Sequence, residues 1–431
     1  MVTSPSGLRA AAPVAVLRRR RDLRLLLAAN LVSQSGDWIL GIGIAYSVYD
    51  LTGSTMASAA SLLAGVLPQV VAGPVAGVLV DRWDRRRTMV GANVAMAVGI
   101  LPLLLVTDAE LVWLVYGVLA VQAVVEVFFA PAEQALLPRL VEDEELVTAN
   151  ALNGQAGQVA RLGGSAVGGV AAAIGGIPAV AIIDAVSFIV AAVLLSLVRT
   201  SGRVRHDDQH AAHPSAEEVV ERRTRAFVRD LRTGVAVVRH SRTLTVVLVF
   251  ALITSVGEGI MGTLFAPFVR DVLDGGGEIY GMITASQAIG GVVGAAIASG
   301  IGHRFSPVVL LGAGSVLFGA LDLAIFLYPL GYQAVWPAVV GMVLVGFPGA
   351  VVMAGYLTLF QRSTDDAARG RAYSLVALGR TVALVLGTTT AGVLGDRVGI
   401  VPVLAFQGVG YVVAGTVVLL VLRAGQPSSA P

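Results

Sequence analysis

The sequence predicts an all-α membrane protein: twelve transmembrane helices forming two six-helix bundles related by a pseudo-two-fold axis along the membrane normal. Three observations carry this expectation. The 431 residues are 56% hydrophobic and only 13% charged, whereas soluble domains carry about 25% charged residues; the mean hydropathy is +0.80. Twelve apolar runs approach the ~20 residues a helix needs to cross a bilayer. Two stretches 221 residues apart, 31–41 (LVSQSGDWILG) and 252–262 (LITSVGEGIMG), are close to being copies of one another.

The elements follow in order. An N-terminal arm, 1–24, carries six arginines from Arg9 to Arg24. A basic start before an apolar run resembles a signal peptide, but the run continues to Tyr49. It is too long for such a segment and shows no small-residue cleavage site, so 25–49 is the first span. Spans at 57–80, 89–106, 111–131, 151–175 and 178–198 complete an N-terminal bundle over 25–198. The one long polar stretch is a central loop, 199–243. It opens with His206, Asp207, Asp208, His210 and His213, which read as a solvated linker, and continues with Ser215 and Glu218 in a capping-box spacing. Phe227, Leu231, Val235 and Val238 then share one face among arginines, a pattern suited to a basic amphipathic helix lying on anionic lipids of the inner leaflet. The C-terminal bundle, 244–422, holds spans at 244–268, 279–301, 307–328, 334–356, 373–395 and 401–422, before a tail at 423–431.

All 30 basic residues are arginine, and 26 of them fall in segments on the side of the N-terminus. Arg270 and Arg397 lie in loops on the other side; Arg161 and Arg380 lie within spans. The positive-inside rule then places both termini in the cytoplasm and makes the chain a multi-pass protein of the inner (cytoplasmic) membrane.

Composition also excludes functions. Without cysteine there is no disulfide, thiol nucleophile or cysteine metal site. Without lysine there is neither a P-loop nor a Schiff-base lysine, so uphill work by this chain draws on an ion gradient. No nucleophile–base pair or metal-spaced cluster lies at membrane depth, which disfavours an enzyme. No cofactor, metal or nucleic-acid partner is expected, and the expected state is a monomer.

Each repeat copy places one acid directly after a glycine: Gly36-Asp37 and Gly257-Glu258. A carboxylate at mid-bilayer costs roughly 2.5–3.5 kcal/mol on insertion scales, so it marks a functional site by default. Asp50 and Asp271 repeat the 221-residue offset; Arg161 and Arg380 lie 219 apart, each with a glycine seven residues on, Gly168 and Gly387. Parallel six-helix halves of this kind belong to secondary transporters, which bind substrate near the midplane. Asp37 and Glu258 are the first proton-coupling candidates, because a desolvated carboxylate can exchange a proton. A hydrogen-bonded structural acid is the alternative for each. Arg161 and Arg380 either pair with these acids or cap carbonyls; Asp184 and Asp322 are further buried charges that can bridge helices. Asn30, Gln34, Asn153, Gln158 and Gln287 are candidates for substrate hydrogen bonds. Trp38 can face a cation or lipid.

Between the second and third spans the chain reads Gly77-Val-Leu-Val-Asp81-Arg82-Trp-Asp84-Arg85-Arg86-Arg87. This resembles the cytoplasmic signature of the major facilitator superfamily. The stretch Phe129-Ala-Pro131-Ala through Leu137-Pro138-Arg139, with Glu144-Glu145-Leu and Ala149-Asn150-Ala, resembles the branch holding enterobactin-type siderophore exporters and macrolide efflux pumps. The resemblance covers essentially the whole chain. It implies a gating loop formed by Gly77, Asp81, Arg82, Arg85 and Arg86, with arginines neutralising Asp81 and capping nearby helix ends. It also implies that Asp37 and Glu258 line a central cavity. Three departures stand out. The second half keeps only Gly302-His303-Arg304 of the loop; the fourth-span arginine of the family is Gln122 here, with Glu126 one turn on; and the fifth span has Gly164-Ser165-Ala166-Val167-Gly168-Gly169, without the usual proline. Glu126 is therefore a third proton-coupling candidate and Gln122 a cavity candidate. The small residues still allow close helix approach.

Together these features predict a secondary active transporter that exports amphipathic small molecules, drug-like or siderophore-like, by proton-coupled alternating access, with Na⁺ as the alternative coupling ion. An importer or facilitator on the same fold, and a non-transporting sensor or assembly partner acting through the central loop, are the competing expectations.

Overall fold

The computed structural model describes residues 13–80, 83–200, 229, 231–301, 304–364 and 366–423. Asp81 and Arg82 of the expected gating loop, the loop residues His206 to Phe227, and Gly302 and His303 lie outside the described residues. Every regular element among the described residues is helical.

In the first half, a short α1 (Pro13–Arg19) precedes α2 (Arg21–Thr52), α3 (Thr55–Val80), α4 (Arg85–Gly99), α5 (Val112–Leu136) and α6 (Leu146–Ser196). The second half holds α7 (Arg242–Pro267), α8 (Gly277–Ile301), α9 (Pro307–Leu327), α10 (Trp336–Arg362), α11 (Asp366–Val398) and α12 (Ile400–Arg423). Residues 231–240 are also helical. Eleven helical stretches among the described residues have the length and apolarity to cross a membrane. One of them, α6, is two spans in sequence. Its 51 residues would extend about 77 Å at 1.5 Å per residue, far beyond a ~30 Å hydrocarbon core. The break is at Gly176, with φ 58° and ψ −151°, a backbone region essentially reserved for glycine, and Pro178 follows. The expected twelve spans are therefore present, the fifth and sixth joined by this sharp turn without a loop.

Local signals explain several ends. Asp84 caps α4 by accepting from the Arg87 amide at 2.9 Å, and Ser241 and Ser306 cap α7 and α9 through Leu244 and Val309. Helix α7 ends in a five-residue π-helical turn, Phe268–Val272, directly after Pro267. Most helices run beyond the apolar stretch that signals them, because polarity alone does not stop a helix and the flanking residues keep helical backbone until a cap or turn ends it. Helix α5 is the case that matters: it passes Pro131 and ends at Leu136, whereas the apolar run stops at 131.

The chain forms two compact units. Unit 1 comprises 1–41, 64–164 and 175–220; unit 2 comprises 42–63, 165–174 and 221–431. Unit 1 is built on a core that includes Leu23, Leu26, Met89, Leu136 and Leu195, with Met96 and Phe188 in a second cluster. Unit 2 has one core around Leu264, Phe268, Phe326 and Val345 and another around Val247, Phe250, Leu311 and Val418.

Hydrophobic burial gives little preference among neighbours in lipid, so close approach at small residues carries much of the specificity. The three principal helix pairs of unit 2 all use it. Gly319 and Gly415 of α9 and α12 meet the carbonyls of Gly408 and Gly312; Gly290 and Gly346 place α8 against α10; Gly259 and Gly387 place α7 against α11. The expected close approach at 164–169 is also seen. Within unit 2, Gly169 of α6 lies against Gly277 and Gly281 of α8, where a Cβ on Gly169 would sit 2.7 Å from the Gly281 Cα.

Candidate functional site

Unit 1 contains a cavity of about 340 Å³, within the size range of small-molecule sites. Helix α2 contributes Asn30, Gln34, Asp37 and Trp38; α5 contributes Gln122, Glu126, Phe129 and Glu133; α6 contributes Asp184 and Phe188, with Met96 from α4. Among the described residues, four carboxylates line it and no arginine or histidine does.

The sequence positions these groups by helical spacing. Asn30, Gln34 and Asp37 follow at i, i+4 and i+7 on one face of α2, and Gln122, Glu126 and Glu133 do the same at i, i+4 and i+11 on α5. Gly36 brings the helices together: a Cβ there would collide with Ser187 Oγ and Asp184 Oδ1. The glycine before Asp37 thus makes room for the second limb of α6 to deliver Asp184. Asp184 is fully buried; its Oδ1 accepts from Ser187 Oγ at 3.0 Å, and its Oδ2 has no partner.

The other polar groups differ in how well they are satisfied. Glu133 Oε1 accepts from Asn30 Nδ2 and Asn153 Nδ2, both at 2.7 Å, and Asn30 Nδ2 also reaches Asn153 Oδ1 at 2.9 Å. Glu126 accepts from Gln69 Nε2 at 2.9 Å, and Gln122 Nε2 donates to the Met96 carbonyl at 2.9 Å. Asn30 Oδ1 and Gln122 Oε1 are buried without a partner among the described residues. Asp37 is exposed to the cavity.

Arg161 does not neutralise Asp37: among the described residues it has no carboxylate partner. Its guanidinium carbon lies 5.9 Å from the centroid of the Trp38 ring, and its Nε is buried without a hydrogen bond. Trp38 therefore faces a cation, and that cation is the protein's own. The related position in the second half is different. In unit 2, Arg380 Nη2 lies 3.3 Å from Glu258 Oε2, and its Nε is 3.2 Å from Ser255 Oγ. Gly257, the counterpart of Gly36, meets Gln407 of α12, where Gly36 meets an aspartate. Two copies of one motif have become an unpaired acid in one half and an ion pair in the other.

Of the remaining expected residues, Gln158 is exposed on α6 and Gln287 lies on α8 in unit 2; neither lines the cavity. Asp322 is buried on α9 with Oδ2 unpartnered. Around the expected gating loop, Gly77 lies in the last turn-and-a-half of α3. Arg85 Nη1 donates to the Ala135 carbonyl at 3.3 Å and Arg86 Nη2 to the Ser196 carbonyl at 2.8 Å, tying the arginine-rich end of α4 to the ends of α5 and α6. At the arginine-poor ends, within unit 2, Arg270 Nε pairs with Asp50 Oδ1 at 2.6 Å, Tyr49 donates to Asp271, and Thr55 donates to Asp396 through its amide at 3.1 Å and its hydroxyl at 2.8 Å.

Residues 11–429 match the family model described as transmembrane secretion effector. The chain belongs to the major facilitator superfamily. The superfamily consists of transporters and not enzymes. Macrolide efflux protein A of Streptococcus pyogenes is 25% identical over 378 residues, 86% of this chain and 89% of that protein. The multidrug efflux pump Tap of Mycolicibacterium fortuitum is 27% identical over 396 residues, 89% of this chain and 91% of that protein. Among solved structures, a POT family transporter in complex with a thioalcohol-conjugated peptide superposes with a TM-score of 0.72 at 11% identity, over 94% of this chain and 96% of that one; this likeness concerns the fold. The resemblance read from Phe129 to Asn150 thus points to the right branch of the superfamily.

Glu133 is the ionisable cavity residue that sequence reasoning missed, along with the lining residues Ser33, Met96 and Phe188. It lies inside the very stretch that carries the family resemblance, but the apolar run of α5 ends before it, which assigns it to a loop. The available signal was Glu126 and Glu133 seven residues apart across Pro131, a spacing that keeps both on one face if the helix continues. Ser187, three residues after Asp184 on the same limb, carried a similar signal.

Proposed function

We infer that this transporter exports amphipathic small molecules, drug-like or siderophore-like, by alternating access driven by inward proton flow. The observation that carries this reading is the contrast between the two motif copies. Asp37 faces a cavity with no basic side chain among its described lining residues, while Glu258 has Arg380 beside it at 3.3 Å. An acid at membrane depth without a counter-ion is poised to take up and release a proton as its access changes; an acid held by arginine is less so. Asp37 is therefore the principal coupling group, with Glu126 as the second acid on the same wall and Glu258 as a charge-paired group.

The similarity to macrolide and multidrug efflux proteins supports export. Arginine asymmetry supports both termini in the cytoplasm and a plasma-membrane location. In that orientation, Arg85 and Arg86 tie helix ends at the inner face, and the Asp50–Arg270, Tyr49–Asp271 and Thr55–Asp396 contacts lie at the outer face, where they must part for release. The bundles at 25–198 and 244–422 are the moving parts. The described end of the central loop, residues 231–240, does not lie on lipid by its apolar face as expected: Val238 is buried in the core with Leu244 and Ala372 and Gly234 packs against the Arg371 carbonyl, which leaves the loop's arginines to meet anionic lipid; the transporter works as a monomer.

The test is Asp37→Asn in everted vesicles given a pH gradient and a panel of dyes and antibiotics. Gradient-driven uptake should be abolished while expression and gel-filtration profile stay as in the parent. Unchanged transport would remove Asp37 from the coupling mechanism.

A further inference from the structure

We propose that the side of α6 carrying Gln155, Gln158 and Arg161 is a subsite for an organic oxyanion, such as a carboxylate, sulfonate or catecholate on an apolar body, and that Arg161 is its anchor. It deepens the export reading by naming the charge class of a group on the exported molecule, and it rests on that reading for the direction of transport.

A guanidinium stays protonated at any pH a cell meets, so an arginine at membrane depth requires an anion, a water-filled space or both. Arg161 lies in the first limb of α6, 15 residues from Leu146 and 15 from Gly176, about 22 Å from either end at 1.5 Å per residue. That is the middle of the span, out of reach of lipid headgroups, which begin about 15 Å from the bilayer centre. No carboxylate among the described residues pairs with it. Its Nε is sealed inside the protein without a partner, while Nη1 and Nη2 keep access to solvent and donate to no described residue. The outer half of the fork is free.

The local packing holds that fork still. Gly157 and Gly164, four residues before Arg161 and three after it, press this limb onto α2. A Cβ on Gly157 would lie 2.9 Å from Gln34 Oε1; one on Gly164 would lie 2.6 Å from the Ser35 carbonyl oxygen and 2.7 Å from Trp38 Cβ. This close crossing sets the Trp38 ring 5.9 Å from the guanidinium carbon. A guanidinium held on a ring keeps its edge for in-plane hydrogen bonds, the geometry that meets both oxygens of a carboxylate.

Further donors stand beside it. Gln155, Gln158 and Arg161 follow at i, i+3 and i+6 along one side of the limb, and both glutamines are exposed. Two carboxamides and a guanidinium turned towards lipid tails would forfeit their hydrogen bonds in a solvent that offers none; this side therefore borders water, where a ligand can reach it. The second half carries the contrast. The counterparts 219 residues on are Ser374, Ala377 and Arg380, and there Glu258 supplies the anion at 3.3 Å. The first half has two more amide donors and supplies no acid. A ligand's oxyanion completes at Arg161 what Glu258 completes at Arg380, and the exposed Trp38 ring offers apolar surface to its body.

Two probes of matched body test the charge class: dansyl-ε-aminocaproate, a carboxylate, and its methyl ester, which is neutral. Binding to the purified full chain in a neutral detergent is followed by dansyl anisotropy, with no gradient present. The carboxylate should bind at least tenfold more tightly than the ester. Arg161→Gln should bring the two probes level, and Arg161→Lys, which keeps the charge and loses the fork, should retain only part of the preference. Loss of an arginine that merely braces the helices would weaken both probes alike and leave their ratio unchanged. Gln158→Ala, at an exposed position, should weaken the carboxylate severalfold and leave the ester as it was. Equal affinity of the two probes in the parent, or a preference that survives Arg161→Gln, overturns the proposal. If Arg161→Gln does not fold, an unchanged preference in both Arg161→Lys and Gln158→Ala overturns it equally. The two readings fail separately. Absence of a carboxylate preference with pH-driven efflux of neutral dyes intact sinks only this inference. An Arg161-dependent preference with no gradient-driven transport of any probe in everted vesicles sinks only the export reading.

Discussion

The contact of Gly169 with Gly277 and Gly281 gives the sharpest mechanical prediction. A Cβ at 169 would lie 2.7 Å from the Gly281 Cα; one at 281 would lie 2.6 Å from the Ser165 carbonyl oxygen and 2.8 Å from the Gly169 Cα. Ordinary carbon contacts are about 3.5–4.0 Å, so either alanine forces α6 and α8 apart by roughly an ångström. The obstacles are backbone atoms, which cannot rotate out of the way. Overpacking of this kind costs about 1–3 kcal/mol. In a transporter that alternates between two arrangements, the cost falls on the arrangement that contains the contact. A bias of 1–3 kcal/mol shifts the population by about 5–150-fold. The chain has no cysteine, so a single reporter thiol can be placed without background. Ser47→Cys serves, since Ser47 is 5% exposed in the same unit. Its rate of labelling by a membrane-impermeant maleimide should rise within that range in Gly169→Ala and Gly281→Ala. Gly65→Ala, where nothing lies within 4 Å of the added Cβ, should leave it unchanged. Labelling of Gly169→Ala at the rate of the Gly65→Ala control would show that the helix contact does not govern access to this end.

Three further outcomes are expected. Arg380→Ala removes the partner of Glu258, but the side chains are 38% and 40% exposed, so the pair contributes no more than about 1 kcal/mol; the apparent melting temperature in detergent should barely move, whereas a drop of many degrees would mean the arginine braces the fold. Gly176→Ala places a Cβ on a backbone with φ 58° and ψ −151° and should cost about 1–3 kcal/mol, seen as a clear fall in melting temperature that Gly154→Ala, with open space around it, does not produce. Asn30→Ala strips two hydrogen bonds and leaves Glu133 with Asn153 alone, a loss of about 1–3 kcal/mol readable in the same melt; an unchanged melt would mean that water replaces the amide.

How far sequence reasoning reaches is clear from particular residues. The twelve spans were legible because a bilayer requires long apolar helices and little else produces them. Gly36-Asp37 and Gly257-Glu258 stood out because acids are rare at that depth. Helix ends were less legible: α5 runs to Leu136 through a polar stretch, which hid Glu133. The turn at Gly176 was readable only as a gap between two runs, not as a single glycine conformation.

The sequence by itself determined the class, the number of spans, the repeat and the absence of cysteine and lysine chemistry, because all of these depend on composition and one-dimensional period. Only the tertiary structure decided which charges meet. Arg161 and Arg380 hold related places in the repeat, yet one lies over Trp38 and the other beside Glu258. Asp184, in sequence only one of several acids within the spans, becomes the most buried acid of the cavity because Gly36 admits it. A pairing depends on sub-ångström differences in how helices approach, and those are set by the packing of the whole unit, which no local pattern contains.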